Sequence, residues 1–152
     1  MSQFTVSKMN KFLLFKLPSA YFSGVRVKSF NEKEAVATVK HRWINQNPFK
    51  SLYWATQGMA SELATGILVM KVIAESGKNV SMLVTSQKGN FTKKATGRIN
   101  FICKDGALIK KAIDKTIATG EGQTIIMKAT GLNEQGDMVS NFEYEWSVKA
   151  KG

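Results

Sequence analysis

Apolar residues recur at every third or fourth position along one long stretch of the chain and at alternate positions along several others. That contrast predicts most of the elements. Between residues 53 and 74, Met59, Leu63, Gly66, Ile67, Met70 and Ile73 follow helical spacing. Ala55, Gly58, Ala60, Ala64 and Gly66 share the stretch, and small side chains let neighbouring backbone approach, so this helix is expected to be buried nearly all round. Gly77 is placed to close it. Ahead of it, Ser7 is positioned to cap a short helix carrying Phe12, Leu13, Phe15 and Leu17, which Pro18 stops. Phe22, Val25, Val27 and Phe30 mark a strand over 21–30, residues 31–34 a turn, and Val36, Val39 and Trp43 a second strand. Beyond the long helix, strands are expected over 80–86, 97–104, 123–132 and 138–149, the last two joined by a hairpin turn at Asn133-Glu134-Gln135-Gly136. Leu108, Ile109, Ala112, Ile113 and Ile117 are helically spaced, so 107–118 is a short helix, with a strand as the alternative. No repeat, low-complexity tract or shift of composition divides the chain. The pattern describes a single α+β domain over 1–152.

Composition narrows the chemistry. At 152 residues and 43% hydrophobic content, the chain can build a core without disulfides or metals. A single cysteine, Cys103, excludes an internal disulfide framework and cysteine-cluster zinc sites. A single histidine, His41, removes designs that need two imidazoles, and between Lys40 and Arg42 it reads as an exposed strand residue. Cys103 has no base beside it and reads as a packed, inert thiol. Twenty-two Lys and Arg against 11 Asp and Glu give +11, a balance that favours an anionic partner: nucleic acid, an acidic membrane or a phosphorylated small molecule. Near the start, Lys8 and Lys11 precede Phe12-Leu13-Leu14-Phe15, but Lys16 ends that run short of the roughly 7–15 apolar residues of a secretory leader. The block 66–70 ends at Lys71, short of the roughly 20 residues of a membrane helix. A soluble, cytoplasmic protein without membrane insertion, its Cys103 reduced, is expected.

The informative stretch runs from Asn47 to Ala64. There a polar loop enters the N-terminus of the buried helix, and Glu62 follows about two turns in. A helix N-terminus presents unpaired N–H groups and partial positive charge, which stabilise an oxyanion. A carboxylate among Met59, Leu63 and Ile67 is desolvated, and its pKa rises toward the range of a general base. Together these suit hydrolysis of an activated acyl group.

At these residues the chain resembles the hotdog-fold acyl-CoA thioesterases, nearest to their uncharacterised bacterial branch, domain of unknown function 4442. Relatives of the phenylacetyl-CoA type carry an asparagine, a glycine three residues on, then His-Gly-Gly, and an acidic residue fifteen after the asparagine. Asn47 and Glu62 keep that spacing. Lys50 stands at the first glycine, Tyr53 at the histidine and Trp54-Ala55 at the Gly-Gly pair. The resemblance implies a hotdog fold, a long central helix wrapped by a curved antiparallel sheet, with a short N-terminal helix added here. It also implies a homodimer, with further pairing to a tetramer open, and active sites at the interface. In it Glu62 is base or nucleophile, Asn47 positions the thioester or water, Ser81 orients the water, and Tyr53 and Trp54 line the oxyanion site. Residues 91–97 resemble the segment near the CoA groove, so Lys93 and Lys94 would meet its phosphates. The substrate would be an acyl-CoA or acyl-carrier thioester, with no metal and no cofactor beyond the CoA that the substrate carries.

Lys50, Tyr53 and Trp54 depart from the family pattern. The alternative is therefore a non-catalytic acyl or acyl-CoA binding module on the same fold. The basic run Lys88 to Lys115 is explained mostly by solvated strand faces. Nucleic-acid binding is disfavoured, because no recognition helix, zinc knuckle or RNP-like motif accompanies it.

Overall fold

The computed structural model of the chain describes residues 4–152. Helices α1 (Val6–Lys16) and α2 (Pro18–Phe22) precede β1 (Arg26–Phe30) and β2 (Ala35–Lys40). The long helix α3 (Trp54–Ser76) follows, then β3 (Val80–Phe91), β4 (Arg98–Cys103), α4 (Gly106–Thr119), β5 (Gln123–Leu132) and β6 (Met138–Ala150). The six strands form one antiparallel sheet in the order β1-β2-β4-β5-β6-β3. Helix α3 touches all six strands, so the sheet wraps around it. This is the hotdog arrangement, α+β as the hydrophobic pattern implies.

Several boundaries move for local reasons. Thr5, not Ser7, caps α1: it sits in extended backbone and its hydroxyl accepts from the Lys8 N–H at 3.2 Å. Pro18 ends α1 and also opens α2, since a proline at the first helical position sacrifices no intrahelical bond. Tyr21 and Phe22 are therefore helical, and the strand expected from residue 21 begins at Arg26. Trp43 lies in a 3-10 turn (Trp43–Asn45) rather than in β2. The buried Asn45 enforces that turn, accepting from the Arg42 N–H at 2.8 Å and donating to the carbonyls of Ser23 (2.8 Å) and Lys40 (2.9 Å). Strand β3 runs on to Phe91 because it is an edge strand, where β6 holds a polar continuation that hydrophobic alternation does not mark. Residues 106–119 are helical, so of the two alternatives there the helix is correct.

The core gathers Leu13, Leu52, Ile67, Ile99, Phe101 and Phe142 around α3. Along the middle of that helix every residue from Ala60 to Val69 is buried except Glu62, which is half-buried. Burial on this helix includes polar side chains, three of which bond to β6. Gln57, Ser61 and Thr65, spaced one turn apart, form a ladder against three residues of one face of the strand. Ser140 donates to Gln57 Oε1 at 2.7 Å, Ser61 and Tyr144 share a hydroxyl–hydroxyl bond of 2.7 Å, and the Trp146 indole donates to Thr65 Oγ1 at 2.8 Å. Gly66 makes room for the Trp146 ring, whose Cζ2 would lie only 3.4 Å from a Cβ there.

Thr65→Val keeps the shape of that contact but leaves the buried Trp146 N–H without its acceptor, and should cost about 1–3 kcal/mol in urea-unfolding free energy. In the Trp146→Phe background, with no N–H to strand, the same substitution should cost well under half as much. Equal costs in the two backgrounds would show that the bond does not matter.

Candidate active site

The entry to α3 is built by an asparagine. The Asn47 side chain accepts from the N–H groups of Phe49 (2.9 Å) and Ser51 (3.1 Å) and lies 3.0 Å from Ser51 Oγ, folding residues 47–51 into a tight loop. To close it, Lys50 adopts a left-handed conformation with φ 62°. A non-glycine residue costs about 1–2 kcal/mol there, which is the physical reason a glycine suits this position. The loop is pinned to the domain by Leu52 N–H to the Ala95 carbonyl (2.8 Å) and Tyr53 N–H to the Asn45 carbonyl (2.9 Å).

Tyr53 then occupies the N-cap of α3 without providing a side-chain cap, and no acidic residue sits in the first turn. The N–H groups of Trp54 and Ala55 find no acceptor among the described residues. The first residues of the helix border a cleft of about 480 Å³ lined by Asn47, Phe49, Tyr53, Trp54, Gln57 and Phe91, together with Lys93 and Lys94. The Tyr53 and Trp54 rings stand 6.0 Å apart, tilted by 60°. Lys93 is ion-paired with Asp137 at 2.7 Å, both exposed, and Lys94 donates to the Phe49 carbonyl at 3.2 Å. The cleft is a positively polarised helix end inside an aromatic, basic surround.

Five of the seven residues singled out from the sequence, Asn47, Tyr53, Trp54, Lys93 and Lys94, line this one cleft. Glu62 and Ser81 do not. Glu62 lies eight residues along α3 from Trp54, about 12 Å along the helix axis. Ser81 pairs with Lys149 near the end of β6 and donates to its carbonyl at 3.2 Å. Tyr144, which senses the Glu62 charge, is five residues away on that strand, about 17 Å. Within one chain Ser81 therefore cannot orient a water held by Glu62.

Glu62 has its own setting. Burial pushes its carboxyl up from the ordinary glutamate value. The ion pairs among the described residues, Lys71–Glu75, Lys93–Asp137 and Lys110–Asp114, leave it without a cation, and no side chain donates to it. Next to it, burial pushes the Tyr144 phenol up to about 12, which the Ser61 bond opposes and the Glu62 charge reinforces. Tyr144, Ser61 and Gln57 were not marked by the sequence reading. The available signal is a polar stripe at one-turn spacing on an otherwise apolar helix. Cys103, fully buried with its thiol pushed up to about 12, is inert as expected. Among the described residues no three His, Cys, Asp or Glu side chains cluster closely enough to share a metal ion.

Fold and site together define a hotdog domain with an uncapped helix N-terminus at an aromatic cleft. The model of the DUF4442 family, a domain of unknown function, matches residues 7–148, and the chain belongs to that family. Solved structures similar to it include a Chlorobaculum tepidum protein of unknown function (18% identical, 99% of this chain and 100% of that one, TM-score 0.83). Another is PA5026 from Pseudomonas aeruginosa, described as a probable thioesterase (17% identical, 95% and 96% covered, TM-score 0.79). A third is the thioesterase HI1161 from Haemophilus influenzae (16% identical, 98% and 93% covered, TM-score 0.72). No curated protein matches the chain.

Two substitutions separate the roles inside the loop. Asn47→Ala removes the acceptor of two backbone N–H groups and should lower stability by about 1–3 kcal/mol in chemical unfolding. Lys50→Gly relieves the left-handed residue and should leave stability unchanged or raise it by up to about 1 kcal/mol, despite the more flexible unfolded chain. An Asn47→Ala protein as stable as the parent would mean that the side chain does not hold the loop.

Proposed function

We propose that this chain is a thioester hydrolase acting on an acyl-CoA or acyl-carrier thioester, working as a homodimer. The observation that carries the reading is the pairing of an uncapped α3 N-terminus, open to a cleft, with a desolvated and unpartnered carboxylate on the same helix. The thioester carbonyl oxygen would sit against the Trp54 and Ala55 N–H groups, which stabilise the oxyanion as it forms. A carboxylate about 12 Å along the axis cannot reach that carbonyl from its own chain. A second copy supplies it. Strand β3 is a twelve-residue edge with Leu83 64% exposed, and antiparallel pairing of two such edges would lay two α3 helices side by side. Glu62 of one copy would then face the cleft of the other.

In the reaction Glu62 takes a proton from water, the hydroxide attacks the carbonyl carbon, the C–S bond breaks, and the proton passes to the departing thiolate. Direct attack by Glu62, giving an anhydride that water then opens, uses the same groups. Asn47 shapes the loop that presents the helix end, and Lys93 and Lys94 attract the phosphates of the carrier. Similar support comes from SAV0944 of Staphylococcus aureus, a thioesterase studied in forms lacking a glutamine or a glutamate fifteen positions apart, the separation of Asn47 and Glu62. A second reading, an acyl-binding module without turnover, is favoured by the Trp54 side chain at the oxyanion site and by an Asn47 amide already bonded within its loop.

A thiol-release assay over short, medium, aromatic and long acyl-CoAs tests both. Glu62→Gln should reduce kcat about 10²–10⁴-fold with binding retained; an unchanged rate removes Glu62 from the chemistry, and binding without any turnover selects the second reading. The acid limb of the rate profile should lie above the ordinary glutamate range, because the ionised base is needed and burial raises its pKa. Stability carries the opposite sign: a carboxyl raised on folding stabilises the protein below its unfolded pKa and loses that contribution as pH climbs through the folded value. Glu62→Gln should therefore unfold at higher urea than the parent at neutral pH.

A further inference from the structure

We infer that the face formed by the end of α1, α2 and the 3-10 turn after β2 docks on an anionic membrane surface. Four large apolar side chains stand out there: Phe15 is 76% exposed, Phe22 63%, Trp43 83% and Ile44 57%. They come from three separate segments, yet the fold fastens those segments together. Asn45 donates to the Ser23 carbonyl, and the Arg42 guanidinium lies so close over Gly24 that any side chain there would strike it. The turn bearing Trp43 and Ile44 is thus held beside the end of α2 that bears Phe22. Scattered exposed apolar residues need no explanation, but a fastened group of this size marks an interaction site.

Charge selects the partner. Residues 1–30 and 35–61 hold eight Lys and Arg and no Asp or Glu. Lys11 and Lys16 are exposed on α1 and Arg42 flanks Trp43, so cations stand beside the aromatic and aliphatic tips. Tryptophan and phenylalanine at headgroup depth, with long basic side chains reaching to lipid phosphates, are the chemistry of an interfacial surface. Nucleic acid would use the cations, but it has no use for the aliphatic Ile44 and Leu17, which project with the rings. Association is peripheral: among the described residues no helix is long and apolar enough to cross a membrane. The face adjoins β1, the sheet edge opposite β3, so a dimer paired through β3 leaves it open. This inference is independent of the thioesterase reading.

The test is cosedimentation of the full chain with phosphatidylcholine vesicles, with and without phosphatidylglycerol, at moderate salt. The protein should sediment with the anionic vesicles and stay in solution with the neutral ones. Trp43→Ser/Ile44→Ser and, separately, Phe15→Ser/Phe22→Ser should each weaken partitioning about tenfold or more, as should Lys11→Glu/Lys16→Glu. All are exposed sites, and circular dichroism should show the fold intact. Lys111→Glu/Lys115→Glu, the same charge change on exposed α4, should leave partitioning within about twofold. The inference is overturned by absence of binding to anionic vesicles, by apolar-face variants that bind like the parent, or by an equal loss in the α4 variant. Tight binding of a single-stranded oligonucleotide, abolished by the same face variants, overturns it in favour of nucleic acid.

Discussion

The polar ladder between α3 and β6 is the constraint from which the rest of this domain follows. A helix enclosed by a sheet gains from burying apolar surface on every side, yet apolar contact alone does not fix its rotation or its axial position. Gln57, Ser61 and Thr65 do both, because each must meet its own partner on Ser140, Tyr144 or Trp146. Rotating α3 by one residue would leave buried hydroxyl, amide and indole groups unpaired at about 1–3 kcal/mol each, a heavy toll against a net stability of about 5–15 kcal/mol. One turn of the helix, about 6 Å, matches the two-residue step from Tyr144 to Trp146, and the longer Gln57 side chain reaches on to Ser140.

With α3 locked, both chemically distinctive features acquire fixed places. Its N-terminus is aimed into the cleft, held there by the Asn47 loop and by the bonds of Leu52 and Tyr53 to neighbouring backbone. Glu62 is adjacent to Ser61 in sequence, so the same rung that buries Ser61 turns Glu62 toward the only flank of the central helix that is not fully covered. The Tyr144 hydroxyl beside it is also occupied, bonding to Ser61 and to the Gly58 carbonyl at 3.0 Å. The carboxylate thus keeps partial access to water while receiving no compensating donor. A side chain that serves only the fold would ordinarily be paired or replaced.

The long helix was legible because it combines a strong 3.6-residue period with small residues and a terminal glycine, and Gly77 does close it in the left-handed conformation. Boundaries set by single side chains were not. Thr5 beats Ser7 as a cap through its extended backbone, and Asn45 bends Trp43 out of a strand through bonds to residues 23 and 40, which no local pattern records. The cleft residues were found by spacing and family likeness. Their division of labour was not: Asn47 shows as a motif position, while its occupation by the loop's own N–H groups depends on the turn that Lys50 makes possible. The distance of Ser81 from Glu62 within one chain was not legible because strand register, which sets Ser81 against Lys149, is a long-range property. The polar ladder itself was visible only as an oddity, three polar residues on an apolar helix, and it takes the alternation of β6 to give them meaning.

The +11 charge can now be apportioned. Part of it is neutralised locally, as Lys71, Lys93 and Lys110 each have a carboxylate within 3.0 Å. The unbalanced part is concentrated before residue 62, where Glu32 and Glu34 are the only acids and both lie at the β1–β2 turn. Evenly spread lysines would indicate solubility alone. A chain that clears carboxylates from most of its first sixty residues, and there exposes tryptophan and phenylalanine on segments tied together by Asn45, has a face on which charge and apolar surface act together. That face and the cleft share the 43–54 connection, so a bilayer held by the one would lie close to the entrance of the other. On the thioesterase reading proposed above, that geometry would suit an acyl chain that partitions into lipid better than one confined to water.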